Sequence, residues 1–193
     1  MCIRDSQVPI MLESQGVTSM LADRFGFEIP AKRKVLDDWK ELADHVDTLD
    51  DAEEIHIAVA GKYTDLADSY LSVIKALQHA SFKVNRKLVI DWIESSALDG
   101  DTEKSDSESH NSAWELLRSA DGILVPGGFG IRGIEGKIKA AEYARENKIP
   151  YLGVCLGLQV ATIEFCRNVL GMEGANSTAV SYTHLTLPTS VTV

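Results

Sequence analysis

The sequence predicts an α/β fold, a mainly parallel sheet with helices on both of its faces. Two observations lead to this prediction. From residue 55 onward, short apolar runs alternate with segments whose apolar residues recur at helical spacing. The run at residues 122–125 leads into a glycine-rich turn, and the run at residues 151–154 leads directly into a helix. Alternating strands and helices form right-handed βαβ units, whose ligands bind at the carboxyl ends of the strands.

The segment before residue 55 is predicted to be helical and connective. Pro30 interrupts an apolar stretch, and an acidic run closes the segment. The apolar residues between them recur at helical spacing: Leu36, Trp39, Leu42 and Val46. We therefore expect residues 31–54 to be a linker helix.

After residue 55 the predicted elements follow one another as strand and helix. The first strand covers residues 55–60, a helix follows over residues 66–77, and the second strand covers residues 87–93. Residues 95–110 contain five acidic side chains and one lysine, so we predict a solvated surface loop there. Two more strands are predicted over residues 122–125 and 151–154. The remaining helices are predicted over residues 113–120, 134–144 and 156–169.

Composition and charge argue against several classes of protein. The net charge is −10 with no basic run to offset it, which argues against nucleic-acid binding. No apolar stretch approaches the ~20 residues of a membrane span, and the first residues lack the apolar core of a signal peptide. The cysteines (Cys2, Cys155 and Cys166) suit neither a disulfide framework nor a zinc site, and the histidines form no metal pattern. We expect a cytoplasmic chain without a metal site.

Residues 153–157, Gly-Val-Cys-Leu-Gly, match the cysteine form of the nucleophile elbow, G-x-C-x-G. In this motif the nucleophile sits on a sharp strand-to-helix turn, and the flanking glycines let the chain fold tightly. The following helix aims its N-terminus at the sulfur, which favours the thiolate that attacks acyl carbon atoms. A small core cysteine is the alternative, and we interpret Cys166 in that way. Because both glycines are in place, we predict that Cys155 is a catalytic nucleophile.

Residues 126–130, Pro-Gly-Gly-Phe-Gly, follow a predicted strand and are predicted to form an oxyanion hole. The backbone N–H of Gly128 would lie opposite that of Leu156, and both would stabilise the charge that develops during acyl transfer. Residues 128–133 also match the dinucleotide motif G-x-G-x-x-G, but the next strand ends at Cys155 without the acid that such a site needs. A tight turn without chemistry is the remaining alternative.

Several motifs together resemble the CTP synthase family, whose glutaminase domain is a class I glutamine amidotransferase. The resemblance to the glutaminase domain lies in residues 61–63, 68–74, 126–130, 132–133, 135–136, 152–159 and 175–178. Residues 8–17 resemble the end of the family's amidoligase domain. The resemblance covers residues 7–178 in all.

The resemblance implies an activity and a set of residue roles. The family makes CTP from UTP, ATP and glutamine. Glutamine is hydrolysed at a Cys-His-Glu triad, and ammonia passes to an amidoligase domain that uses ATP and Mg²⁺ and whose phosphate loop, Mg²⁺ ligands and UTP site are absent from this sequence. By this resemblance Cys155 is the nucleophile, Gly128 and Leu156 form the oxyanion hole, and Arg132 lies near the region for the activator GTP. The glutamine-contacting residues would be Gly128, Leu156, Gly157, Leu158 and Gln159. The full-length protein is expected to be a homo-oligomer.

The sequence also departs from the family pattern. The family supplies the other two members of its triad as H-x-E, and none of the five histidines here is followed two residues later by glutamate. Ala179 occupies the position of a glutamate that binds the amino group of the substrate in the family. A general base activates the thiol and protonates the leaving ammonia. We therefore expect little or no activity from this chain alone.

The expected organisation has five parts. Residues 1–6 and the Thr- and Ser-rich tail 179–193 are expected to be artefacts and are set aside. Residues 7–30 are expected to be the end of the amidoligase domain and residues 31–54 the linker. Residues 55–178 are expected to be the first part of the glutaminase domain.

Two other functions remain open from the sequence. A different class I glutamine amidotransferase would share the elbow and the glycine-rich turn, but not residues 61–63 or the linker. A non-enzymatic flavodoxin-like module, acting in binding or redox sensing, would carry Cys155 as a buried cysteine. A faster reaction of Cys155 than of Cys166 with iodoacetamide would favour the enzyme.

Overall fold

The computed structural model describes residues 5–30, 34–62, 67–128, 132–178 and 180. The helices in these ranges are α1 (Val8–Ser14), α2 (Val17–Phe25), α3 (Lys34–Thr48), α4 (Leu71–Val84), α5 (Gly100–Ser105), α6 (Ser107–Ser119), α7 (Ile134–Asn147) and α8 (Leu156–Asn168). The strands are β1 (Glu54–Gly61), β2 (Lys87–Glu94), β3 (Gly122–Val125) and β4 (Tyr151–Gly153). Short 3-10 turns cover Asp5–Gln7, Leu49–Asp51, Ala67–Tyr70 and Ser95–Leu98. The described chain divides into two compact units, one of residues up to 53 with 79–87, the other of residues 54–78 with those from 88 onward.

The first unit is helical and carries α1, α2 and α3. Gly16 connects α1 to α2 at a φ of +74°, and Gly26 ends α2 at a φ of +68°. Glycine adopts this left-handed backbone without a Cβ clash, so each helix can end sharply. The indole N–H of Trp39 on α3 donates a hydrogen bond to the carbonyl of Ser6 at 2.7 Å, which ties α3 to the first turn of the unit. Helix α3 fills most of the segment for which a linker helix is predicted.

The second unit is built on one sheet with the strand order β2-β1-β3-β4. Strands β1 and β3 are parallel, with Ile57 opposite Gly122. Strands β3 and β4 are also parallel, with Val125 opposite Gly153. All four residues of β3 are buried, as in a central strand that is covered on both faces. The prediction of an α/β fold with a mainly parallel sheet is confirmed.

Two groups of buried side chains hold the helices against this sheet. The first group includes residues of β1, β3, α6 and α7: Ala58, Ala60, Leu117, Ile123, Val125, Ala140 and Ala144. The second group lies between α7 and α8: Ile134, Ile138, Ala141, Leu156, Val160 and Ile163. Burial of a large apolar side chain stabilises a fold by about 1.5–3 kcal/mol. Together the two groups fix α7 and α8 beside the carboxyl ends of β3 and β4.

The prediction of a solvated loop over residues 95–110 is wrong. The segment forms a 3-10 turn, helix α5 and the first turn of α6. Its acidic residues include two helix caps. Asp99 accepts a hydrogen bond from the Asp101 N–H at 3.4 Å, and Asp106 accepts one from the Ser109 N–H at 3.1 Å. Such caps satisfy backbone donors that a helix start leaves free, so acidic residues favour helix formation here.

The apolar residues of the same segment dock against α7. Leu98 is 1% exposed, and the 3-10 turn Ser95–Leu98 packs directly on the first turns of α7. A β-carbon built on Gly136 would lie only 1.7 Å from the Ser95 carbonyl oxygen. The absence of a side chain at Gly136 therefore sets how closely α7 approaches this turn.

The two terminal segments that are expected to be artefacts, residues 1–6 and 179–193, lie mostly outside the described residues. The structure does not describe residues 1–4, 179 and 181–193. Val180 is described. It is 4% exposed, and its N–H donates a hydrogen bond to the Ser177 carbonyl at 3.0 Å. Within the described ranges, none of the helices combines the length and the apolar character that crossing a membrane requires.

Candidate active site

Cys155 lies on a strained turn between β4 and α8. Its backbone has a φ of +55° and a ψ of −107°, which non-glycine residues rarely adopt. Such a conformation costs about 1–3 kcal/mol and persists only where the surrounding structure enforces it. The side chain of Cys155 is exposed, as a nucleophile requires.

The two glycines of the elbow are required by close backbone packing. A β-carbon on Gly153 would lie 2.4 Å from the carbonyl carbon of Gly157. A β-carbon on Gly157 would lie 2.0 Å from the carbonyl oxygen of Val125. The start of α8 therefore rests against both β3 and β4, which explains why the motif has glycine on both sides of Cys155.

Hydrogen bonds fix the elbow to the sheet. The Val154 N–H donates to the Val125 carbonyl at 3.0 Å, and the Gly157 N–H donates to the Val154 carbonyl at 3.0 Å. The Tyr151 hydroxyl donates to the Gly157 carbonyl at 2.9 Å. Burial raises the pKa of Tyr151 well above its usual range, with a smaller contribution from Glu164. The phenol therefore remains a hydrogen-bond donor at any ordinary pH.

The glycine-rich turn after β3 lies directly beside Cys155. A β-carbon on Gly127 would lie 3.4 Å from the Cβ of Cys155 and 3.8 Å from its Sγ. Gly128 has a φ of +152°, a backbone conformation that favours glycine. The prediction that the ends of β3 and β4 are adjacent is confirmed by their register. The oxyanion-hole role of Gly128 and Leu156 stays a prediction, and residues 129–131 of the turn lie outside the described chain.

Leu156 begins α8 and is 1% exposed, so its side chain anchors the helix in the core. The first N–H groups of a helix have no intrahelical partner, and the positive end of the helix dipole lies there. Gly157 is buried. Leu158 is 63% exposed, and the Gln159 side-chain oxygen accepts a hydrogen bond from the Ser177 hydroxyl. The start of α8 thus lies directly after Cys155 and has one exposed apolar side chain, Leu158.

Arg132 and Cys166 are the remaining residues that the sequence singles out. Arg132 is exposed and forms an ion pair with Glu94 at 3.5 Å, near the end of β2. Cys166 lies on the eleventh position of α8 and is partly buried, close to the core position that its sequence context indicates.

Sequence reasoning missed a buried basic cluster behind the glycine-rich turn. Lys62 follows β1 and is 8% exposed, and Lys137 on α7 is fully buried. The Lys137 ammonium has no hydrogen-bond partner in the described chain and lies 3.7 Å from where a β-carbon on Gly128 would be. One sequence signal could have found it, since Lys137 falls on the apolar face of α7 with Ile134 and Ile138.

Burial is the main influence on both lysines. It lowers the pKa of Lys137 to about 8, with a further decrease from the charge of Lys62 and an opposing effect of Glu94. Burial and the charge of Arg132 lower the pKa of Lys62, again opposed by Glu94. Two like charges in a buried setting indicate a local positive potential at the carboxyl ends of β1 and β3. Within the described ranges, no group of three or more acidic, histidine or cysteine side chains could hold a metal ion.

Comparison with known sequences assigns the family. The sequence profile of the family described as "Glutamine amidotransferase class-I" matches residues 65–188. The chain belongs to this family. The match includes β2, β3, β4 and α8, and therefore both the glycine-rich turn and Cys155. It also includes residues 179–188, the first ten residues of the tail that is expected to be an artefact.

Several proteins whose sequences are similar to this chain are CTP synthases. Human CTP synthase 1 is 49% identical over 182 residues, which cover 92% of this chain and 30% of the human protein. CTP synthase of Dictyostelium discoideum is 57% identical over 141 residues, covering 72% of this chain and 24% of that protein. CTP synthase of Eremothecium gossypii is 52% identical over 178 residues, covering 88% and 31%. The chain thus spans less than a third of the length of these relatives.

A solved structure supports the same assignment. The glutaminase domain of Trypanosoma brucei CTPS with bound acivicin is 44% identical, with a TM-score of 0.56. The superposition covers 65% of this chain and 45% of that chain. The class I amidotransferase fold, an exposed cysteine on a strained elbow and an adjacent glycine-rich turn are together suited to attack on an acyl carbon.

Proposed function

We propose that this chain is the glutaminase part of a CTP synthase and that Cys155 is its nucleophile. One observation carries the proposal: the exposed sulfur of Cys155 lies on a strained turn, 3.8 Å from where a β-carbon on Gly127 would be. Gly127 therefore lies within contact distance of Cys155, which places the backbone of the glycine-rich turn beside the reacting atoms.

The proposed reaction is an acyl transfer through a thioester. The Cys155 thiolate attacks the side-chain amide carbon of glutamine, and the carbonyl oxygen takes up the negative charge. The N–H groups of Gly128 and Leu156 donate hydrogen bonds to this oxyanion. The carbon–nitrogen bond then breaks as the nitrogen takes a proton from a general acid, which the family supplies as the histidine of its H-x-E motif. Ammonia leaves, and water hydrolyses the thioester to glutamate and free Cys155. The relatives' similarity and the elbow geometry support these roles.

The glutamine site is proposed to lie along the start of α8. Gly128, Leu156, Gly157, Leu158 and Gln159 surround the elbow, and Gln159 is held by the Ser177 hydroxyl. The exposed side chain of Leu158 would cover the methylene groups of glutamine, because apolar surface packs favourably on apolar surface. Arg132, whose guanidinium pairs with Glu94, is proposed to act in the neighbouring region for GTP.

The wider activity is proposed from the similarity to CTP synthases. The ammonia would convert UTP to CTP in an amidoligase domain that uses ATP and Mg²⁺. A cytoplasmic homo-oligomer is the proposed form of the full-length protein. A different class I amidotransferase is the alternative, and the similarity to CTP synthases over about nine-tenths of the chain favours a CTP synthase.

Covalent labelling with acivicin tests the proposal, because the similar trypanosomal glutaminase domain was solved with acivicin bound. We expect intact-mass analysis and peptide mapping to show one adduct, on Cys155, whose formation excess glutamine slows. C155A should abolish the adduct and C166A should leave it unchanged. Cys166 lies within α8, and Cys155 lies on the turn that precedes it, so C166A is the matched control. Equal labelling of Cys155 and Cys166, or labelling that glutamine does not affect, would contradict the proposal.

A further inference from the structure

The fully buried Lys137 stands out because it has no evident structural role. Its side chain is 0% exposed, and its ammonium lacks a hydrogen-bond partner in the described chain. A buried charge without a partner is costly, and a methionine of similar length would fill the same space without that cost. The structure therefore retains an unfavourable group at this position.

The position of Lys137 relates it to the candidate oxyanion hole. The ammonium lies 3.7 Å from where a β-carbon on Gly128 would be, directly behind the turn whose N–H is proposed to bind the oxyanion. Lys137 reaches this place from the first turn of α7, where its own N–H donates to the Gly133 carbonyl at 3.2 Å. Gly136, packed on Ser95, fixes the helix and so the starting point of the side chain.

We infer that Lys137 is a positioning residue for acyl transfer: its buried ammonium keeps the Gly128 turn at positive potential and so stabilises the oxyanion formed at Cys155. The inference rests on the proposed function. A charge held in a region of low dielectric acts over several ångströms, and it needs no reorganisation at the moment of reaction.

The groups around Lys137 determine how this effect depends on pH. Lys62 at the end of β1 repels the ammonium, and Glu94 at the end of β2 attracts it but pairs with Arg132. Ser95 contributes a fully buried hydroxyl that also lacks a hydrogen-bond partner in the described chain. With its pKa lowered to about 8, Lys137 is mostly charged at pH 7 and loses its charge above pH 8.

Two reactions of Cys155 separate oxyanion stabilisation from thiol reactivity. 4-Nitrophenyl acetate forms a sulfur–carbon bond through a tetrahedral oxyanion, and 4-nitrophenolate leaves without needing a general acid. Iodoacetamide forms a sulfur–carbon bond by displacing iodide, and no oxyanion arises. Both reactions need the same thiolate, so the ratio of the two rates reports on the oxyanion hole alone. Rates measured with C155A are subtracted to remove reactions at other residues.

We expect K137M to lower this ratio by about tenfold at neutral pH, since removing a direct oxyanion donor costs about 10²–10³ and Lys137 acts from behind it. K139M is the matched control, because Lys139 lies on the same helix, is half exposed and pairs with Glu142. It should leave the ratio unchanged. K137M should also be as stable as the parent chain or more stable in urea, whereas a structural role would make it less stable.

The pH profile of the unaltered chain gives a second measurement that does not depend on a variant folding. We expect the ratio to fall as pH rises past about 8 in the parent chain and in K139M, and to be flat in K137M. A K137M ratio equal to that of the parent, or a parent ratio that does not fall above pH 8, would overturn this inference alone. Absence of any Cys155-dependent acylation in the parent chain would overturn the proposed function as well.

Discussion

Replacing Gly157 with alanine tests whether the elbow is held by close backbone packing. The added β-carbon would lie 2.0 Å from the Val125 carbonyl oxygen, 2.9 Å from its carbonyl carbon and 3.1 Å from its Cβ. The first two distances are shorter than a carbon atom tolerates, and both partners are backbone atoms of a buried strand. Either α8 or β3 must therefore move.

The magnitude follows from two opposing terms. Alanine is favoured over glycine inside a helix by about 1 kcal/mol. Overpacking a well-packed site costs typically about 1–3 kcal/mol and more where backbone must move. Because the overlap here is with backbone on a central strand, we expect G157A to lose about 2 kcal/mol or more of unfolding free energy. The hydrogen bond from Tyr151 to the Gly157 carbonyl should weaken as well.

Urea unfolding followed by circular dichroism measures this change, with G100A as the matched control. Gly100 starts α5, and a β-carbon there would meet nothing within 4 Å. G100A should therefore be neutral or slightly stabilising, by less than about 1 kcal/mol. If G157A unfolds at the same urea concentration as the parent chain, the packing argument for the G-x-C-x-G motif is refuted.

Three further predictions concern single groups. Y151F removes the hydroxyl that donates to Gly157, and urea unfolding should show a loss of about 0.5–1.5 kcal/mol; a neutral result would mean that the bond is not formed. The pKa of His56 is raised, mainly by its hydrogen bond to Asp91. The contribution of this pair to stability is therefore complete below the unfolded pKa of about 6.5, and it is lost as pH rises through the folded pKa. The stability difference between the parent and H56Q should therefore shrink as pH rises from about 6.5 through the folded pKa, and a growing difference would contradict the assignment. The chain alone should release no ammonia from glutamine above the C155A background, because none of its histidines is followed by x-E; clear Cys155-dependent release would show that another residue serves as the base.

The sequence was sufficient to predict the sheet and the elbow because both depend on local patterns. Apolar runs such as residues 122–125 must be buried on both faces, so they predict a central strand. The two glycines around Cys155 predict a tight strand-to-helix turn, and the structure shows the backbone contacts that require them. Parallel pairing of β3 and β4 then follows from the βαβ connection.

Residues 95–110 could not be interpreted correctly from charge alone. Their acidic residues suggest solvent, but two of them cap helices, and the preceding turn Ser95–Leu98 docks on α7 at Gly136. Lys137 was missed for a related reason. A lysine is normally exposed, and only the tertiary approach of α7 to the end of β3 buries this one.

The elbow implies two different kinds of mutational intolerance within five residues. Gly153 and Gly157 cannot accept any side chain because backbone atoms occupy the space, so substitutions there should lower the amount of folded protein. Cys155 is exposed, and its replacement by alanine leaves every neighbour in place, so only its chemistry is lost. In a library that scores cellular abundance and acivicin labelling separately, the flanking glycines should fail both selections, whereas the cysteine should fail only the second.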